Sequence, residues 1–304
     1  MDGEAASVMH PAGAFNPAAP PFPTPNYHVV PMLQPPPPPP PIPVRRVWDI
    51  NLVAELRFLR HFASSARYAA VTIHYPGVVH GGAGAQQNNH ALMTAEERYG
   101  AMKANVDALK PIQLGLAVYN EFGHLAAWEF NIRGFHPAAD PHAPNSVEYL
   151  ERRGLSFRDH QAFGVDPARL AAELDGCGMF RRRPGVSWIT YAGAFHVAYL
   201  MKVLSAGNGG GNLLPDSLGG FLDVVRQRLS DDIYDVARMA VDCGLPPGLE
   251  RVASALWLVP ASLSPCLAGA SSVLALQAFM RLKYDVLGGK VDRFRGLIHG
   301  IQVV

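Results

Sequence analysis

Tyr68-Ala-Ala-Val-Thr-Ile-His-Tyr75, closed by Pro76-Gly77, is the stretch from which the fold is read. It is short, rich in β-formers and bounded by a turn, which predicts a strand buried on both faces. Working outward, residues 80–93 are rich in Gly, Gln, Asn and His and read as a loop. Thr94 and Glu97 then form a capping box. Tyr99, Met102, Val106 and Leu109 recur at spacings of three and four, so an amphipathic helix is predicted. Ile112–Tyr119 and Leu125–Ile132 read as strands joined in a hairpin by Asn120-Glu-Phe-Gly123. Asp166-Pro167 opens a further helix that Gly176 is expected to close. Val186–Tyr191 reads as a strand, Phe195–Ser205 and Pro215–Leu229 as helices, and Ile233–Val236 as a short strand. Early strands followed by alternating strands and helices predict a single α/β domain, a mixed central sheet flanked by helices.

Composition narrows the function. The chain has 304 residues, 49% apolar and 17% charged, with a formal charge of +1. A wholly disordered or fibrous chain is excluded. So is binding by gross charge, because a near-neutral chain has no global field to hold nucleic acid or anionic lipid. Cys177, Cys243 and Cys266 are too few and too scattered for a disulfide framework or a Cys-rich zinc module, which points to a reducing compartment.

Fifteen of the 27 prolines lie between Pro11 and Pro43, with an unbroken run from Pro35 to Pro41. Such a run can only be an extended polyproline II rod, so residues 1–46 read as a disordered leader and 47–304 as the folded domain. Asp2 and Glu4, with no apolar stretch after them, argue against a secretory signal. Val252–Met280 runs 29 residues without a charge. Pro260, Pro265 and several serines interrupt it, so it reads as a loop and two buried helical pieces, with no membrane partner expected.

The stretch Lys103-Ala-Asn-Val-Asp-Ala-Leu-Lys-Pro-Ile-Gln-Leu-Gly-Leu116 resembles a signature of the poly(A) deadenylases associated with the carbon catabolite repressor four–Not complex. These are Pop/Caf-type members of the DEDD exonuclease superfamily. Further pieces follow in family order: Val47-Trp48, Tyr75-Pro-Gly-Val-Val79, Trp128-Glu-Phe-Asn131, Gly164-Val-Asp166, Tyr199-Leu-Met-Lys202, Leu214-Pro-Asp-Ser217, Tyr234-Asp235 and Ala268-Gly269. The resemblance covers roughly residues 46–300 and implies an RNase H-like fold.

It also implies a chemistry, two-metal hydrolysis, in which four carboxylates hold two divalent ions ~4 Å apart. Mg²⁺ wants oxygen ligands, preferably anionic. Where the family writes D-x-E-F-P-G on its first strand, this chain has Thr72-Ile-His74-Tyr-Pro-Gly77. His196 stands where the second aspartate is expected, and Cys266 and Ser271 stand at the general-base histidine and the fourth carboxylate. By this alignment the pocket passes from four negative charges to about none, and no catalytic residue is intact. Asp235 survives at a position that the resemblance marks as structural.

Two readings of the altered pocket follow. In one, Thr72, His74, His196 and Ser271 merely fill space. In the other, His74, His196 and Cys266 converge as a zinc ligand set. Arg181-Arg182-Arg183 reads as a solvated turn, Trp128 and Trp188 as core, His80 and His90 as loop residues, and Gly209-Gly-Gly211 as a connector.

The resemblance therefore implies an inactive or impaired homologue of the poly(A)-specific 3′-exoribonuclease subunit. It would need no cofactor and act as an interaction module in mRNA turnover, in cytoplasm and nucleus. The implied partners are the Not scaffold and the leucine-rich-repeat deadenylase subunit, with poly(A) RNA as a further ligand. The alternative is an active, Mg²⁺-dependent 3′-to-5′ exoribonuclease. A third is a drifting duplicate with little function.

Overall fold

A computed structural model of the protein describes residues 42–80, 92–207, 214–258 and 267–302. Among them a single sheet holds β1 (Val44–Val47), β2 (Ala66–His74), β3 (Gln113–Asn120), β4 (Leu125–Asn131), β5 (Ser187–Thr190) and β6 (Ile233–Asp235). Their order is β1-β4-β3-β2-β5-β6. Strands β2, β3 and β4 are antiparallel neighbours, with His74 opposite Gln113 and Gln113 opposite Asn131. β1, β5 and β6 run parallel to theirs. This is the mixed sheet flanked by helices that the sequence predicts.

The alternation of large and small residues along β3 decides how the layers sit. Leu114, Leu116 and Val118 join Val71, Ile73, Trp128 and Phe130 in the larger core. That core packs under α1 (Leu52–Ser64), α2 (Ala95–Ala108), α5 (Pro167–Cys177), α6 (Gly193–Ser205) and α7 (Leu218–Arg228). Ala70, Ala117 and Ala127 face the other way, toward α8 (Val236–Asp242), α9 (Leu249–Ala255) and α10 (Ala268–Arg281). On that face a Cβ built on Gly115 would stand 1.9 Å from the Ala268 carbonyl oxygen. Only a residue without a side chain lets the helix lie so close to the strand. A third, smaller cluster gathers Ile112, Phe135 and Leu267 with residues of α3 (Pro144–Arg152) and α4 (Phe157–Phe163).

Local expectations hold in most places. Thr94 Oγ1 accepts from the Glu97 N–H while Glu97 caps the Thr94 N–H, and Tyr99, Met102, Val106 and Leu109 are all buried. Trp128 and Trp188 are core residues. Several boundaries differ: the helix expected over Pro215–Leu229 begins at Leu218, and the one expected from Phe195 begins at Gly193. Helix α5 ends at Cys177 and closes on Gly178, whose φ of 77° is the left-handed conformation glycine supplies; Gly176 stays within the helix. The sheet begins at Val44, three residues before the expected domain start, because β1 pairs with β4 from Val44↔Ala127 onward.

Helix α1 is absent from the sequence reading, although its buried Leu52, Leu56, Leu59 and Phe62 recur at helical spacing. In the charge-free stretch, α9 and α10 flank residues 259–266, which lie outside the described set together with most of the 80–93 loop and Gly209–Gly211. No helix among the described residues is long and apolar enough to cross a membrane.

Candidate functional site

Thr72 and His74 are two apart on β2, so their side chains leave the sheet on one face, the face that carries Ala70 and meets α10. Thr72 is paired with Gly115, over which Ala268 and Gly269 of α10 are seated. Ser271 follows in the first turn of that helix, its N–H donating to the Leu267 carbonyl. From the other layer comes His196 on α6. The paired register of β5 with β2 ends at Ala70↔Ile189. Beyond it the Ile73 N–H donates instead to His196 Nδ1, at 3.1 Å. Four of the five expected positions are thus brought to one end of the sheet. Cys266 lies outside the described residues.

The protonation state of the pair follows from these contacts. Nδ1 of His196 accepts a hydrogen bond, so the ring proton sits on Nε2 and the imidazole is neutral. Burial pushes its pKa down to about 4. His74 goes further, to about 3, through burial first and then repulsion from His196, were it protonated, and from Arg153. Next to them Tyr75 stacks on Tyr199 at 4.7 Å and on Phe195 at 5.2 Å, with His196 edge-on at 6.4 Å. Burial raises the Tyr75 phenol to about 12. This end of the sheet is packed with neutral rings.

Such a donor set does not fit a pair of divalent ions. Thr72, His74, His196 and Ser271 offer two hydroxyls and two neutral imidazoles, none of them anionic, while Mg²⁺ sites are built from carboxylate oxygens. Arg153, which closes α3 and pairs with Glu250 at 2.8 Å, adds a positive charge near His74. For zinc, His196 would have to move its proton from Nε2 to Nδ1, where it would oppose the Ile73 N–H. Among the described residues no three of His, Cys, Asp and Glu are gathered closely enough to hold a metal.

The motifs behind the resemblance resolve into architecture. Lys202 Nζ donates to the carbonyls of Val106, Asp107 and Leu109, closing the end of α2. Asp107 takes Lys103 at 2.7 Å with one oxygen and the Leu214 N–H with the other. Gln113 bonds Asn131 and the Ala268 N–H, and Asn131 reaches the Val47 carbonyl. Glu129 accepts from the Gly269 N–H, a carboxylate at the start of α10. Asp235, fully buried, accepts from the N–H groups of Ala192, Gly193, Ala237 and His299.

Arg181 and Arg182 pair with Asp175 and Asp231, and Arg183 donates to the Ala63 and Ser64 carbonyls, so the arginine run is a braced turn. His80 is exposed and joined to Asn105 through its backbone. The sequence reading missed Arg153, for no local pattern in Arg152-Arg153-Gly154 sets it beside a residue on β2.

Comparison with known proteins agrees with this architecture. A model described as CAF1 family ribonuclease matches residues 47–167. The chain is 30% identical over 271 residues to the probable CCR4-associated factor 1 homolog 10 of Arabidopsis thaliana, covering 86% of this chain and 93% of that protein. It is similar to the Mg²⁺- and Mn²⁺-bound structure of S. pombe Pop2p, with a TM-score of 0.73, 28% identity and coverage of 85% and 99% of the two chains. It is also similar to yeast CAF1 co-crystallised with the NOT1 MIF4G domain, with a TM-score of 0.65, 25% identity and coverage of 84% and 96%. The chain belongs to the CAF1 ribonuclease family.

Proposed function

We propose that this protein is a subunit of the mRNA-deadenylation machinery whose nuclease site is inert and whose work is docking. The single observation that carries the inert site is the neutral His74–His196 pair, with Thr72 and Ser271, where two divalent ions need carboxylates. Without metals there is neither an activated water nor a clamp for the developing charge. The docking role is supported by the fold shared with Pop2p and by the relative crystallised with a MIF4G domain. On this reading a Not-type scaffold is the first partner, and the leucine-rich-repeat deadenylase and poly(A) RNA are further ones. The protein would then act in cytoplasm and nucleus, where tails are shortened.

Two measurements on the full chain test the proposal. A 5′-labelled poly(A) oligonucleotide is incubated with Mg²⁺ or Mn²⁺ beside Pop2p as a positive control; the labelled RNA is expected to stay full length. Chelator-sensitive shortening in independent preparations would overturn the inert site in favour of an active 3′-to-5′ exoribonuclease. A recombinant MIF4G domain is expected to retain the protein, and failure to do so removes the docking role.

A further inference from the structure

Where β1 and β4 end, two cavities share Arg133 as a wall. One, of about 450 Å³, is lined by Trp48, Asp49, Ile50, Arg133, Ala162 and Phe163. The other, of about 210 Å³, lies between Arg133, Lys110, Lys202 and Leu170. The Arg133 backbone is anchored, its N–H donating to the Val165 carbonyl at 2.9 Å. Its side chain is not: Nε is buried with no hydrogen-bond partner, and no carboxylate among the described residues pairs with the guanidinium.

Three cations close to Arg133 are engaged. Lys110 holds Asp140 at 2.7 Å, Arg169 holds Asp49 at 2.6 Å, and Lys202 caps α2. Beside the free guanidinium stand large apolar groups in water. Ile50 is 95% exposed and Phe163 60%. The Asp49 N–H, donating to the Phe163 carbonyl at 3.0 Å, holds the two segments together. A guanidinium without a carboxylate partner and a cluster of exposed apolar side chains lie side by side, and one occupant engages both.

We propose that this groove docks a linear peptide segment of a partner protein in which an aromatic or large aliphatic side chain stands next to a carboxylate. The apolar side chain lies against Trp48, Ile50 and Phe163, and the carboxylate takes the Arg133 guanidinium, a bidentate match. Arg133 is the unpaired cation that both cavities share, and one guanidinium suits one carboxylate. A polyanion such as RNA would meet Asp49 in the wall and Asp159 one turn before Phe163 on α4.

The test uses the full chain and two fluorescein-labelled peptides, Gly-Ser-Phe-Glu-Ser-Gly and Gly-Ser-Glu-Phe-Ser-Gly, read by fluorescence polarisation. At least one is expected to bind with submillimolar affinity. Arg133→Gln is expected to weaken it about tenfold, and so is a peptide carrying Gln for Glu; the two together weaken it no further. Phe163→Ser, on an exposed position, serves as a second variant with unchanged thermal unfolding and the same loss. Absence of binding by both peptides at millimolar concentration overturns the proposal. So does binding indifferent to Arg133→Gln, or equal sensitivity of an oligo(A) RNA to the same variants.

Discussion

Acid should unfold this protein through the two histidines that stand where carboxylates are expected. The unfolded chain binds a proton on each near pH 6.5, whereas the folded chain holds out to about 4 at His196 and about 3 at His74. Between those limits the unfolded state carries more protons, so stability rises with pH and is lost as pH falls below about 6.5. At pH 5 each histidine lies ~1.5 units below its unfolded pKa, worth about 2 kcal/mol, or about 4 kcal/mol for the pair. That is a large share of the ~5–15 kcal/mol by which a domain is usually stable.

The assay is urea unfolding at pH 8, 6.5 and 5 for the native chain and for His74→Gln/His196→Gln, in which glutamine at 196 still offers an oxygen to the Ile73 N–H. Buried His160, also held below its ordinary value by burial, shifts both proteins alike. The native chain is expected to lose about 4 kcal/mol between pH 8 and 5, and the double variant less than half of that. Equal losses in the two proteins would refute the assignment of half-buried, neutral imidazoles.

Other consequences are as direct. Rebuilding the acidic site with Thr72→Asp, His74→Glu, His196→Asp, Ser271→Asp and Cys266→His should lower the melting temperature without metal. Mn²⁺ at about a hundred times its Kd should restore about 2.7 kcal/mol, while the native chain melts at the same temperature with or without the ion. Gly115→Ala drives a methyl group into the Ala268 carbonyl and should cost about 1–3 kcal/mol in urea unfolding. Asp235→Ala strands four backbone N–H groups and should cost about 3–5 kcal/mol, with Asp235→Asn recovering part of the loss in the same thermal scan.

What the sequence reveals here follows from where the information lies. The β2 strand, the capping box at Thr94 and the β3–β4 hairpin are legible because each is decided by neighbours within a dozen residues. The end of α5 is misplaced by two residues because Gly176 and Gly178 are equally good stop signals, and only the backbone shows which one takes the positive φ. The substituted pocket is found by alignment to the family motif, but its state is not. Nothing in the sequence around His196 says that its Nδ1 meets the Ile73 N–H 123 residues away, or that the charge of Arg153 reaches His74. Likewise the groove at Arg133 is invisible in sequence. It depends on which cations find carboxylates, and Lys110 and Arg169 find theirs 30 and 120 residues away.

The same distinction explains how a chain can belong to the CAF1 ribonuclease family while Thr72, His74, His196 and Ser271 stand at the positions expected to carry its acids. The pieces that carry the resemblance are not catalytic groups. Lys202 satisfies carbonyls that would otherwise be orphaned at the end of α2, Asp235 satisfies amides where α6 and α8 begin, and Gly115 admits α10 to the sheet. Each is held in place by a buried polar or steric cost that has nothing to do with metal. The carboxylates of a two-metal site are the reverse case: held close together without their cations they repel, and neutral residues relieve that strain. Replacing acids of that kind is therefore cheap for a fold, and replacing the architectural motifs is not. On the proposed reading a scaffold of this kind can keep docking surfaces without its chemistry, so retention by a MIF4G domain and degradation of poly(A) are to be measured independently on this chain.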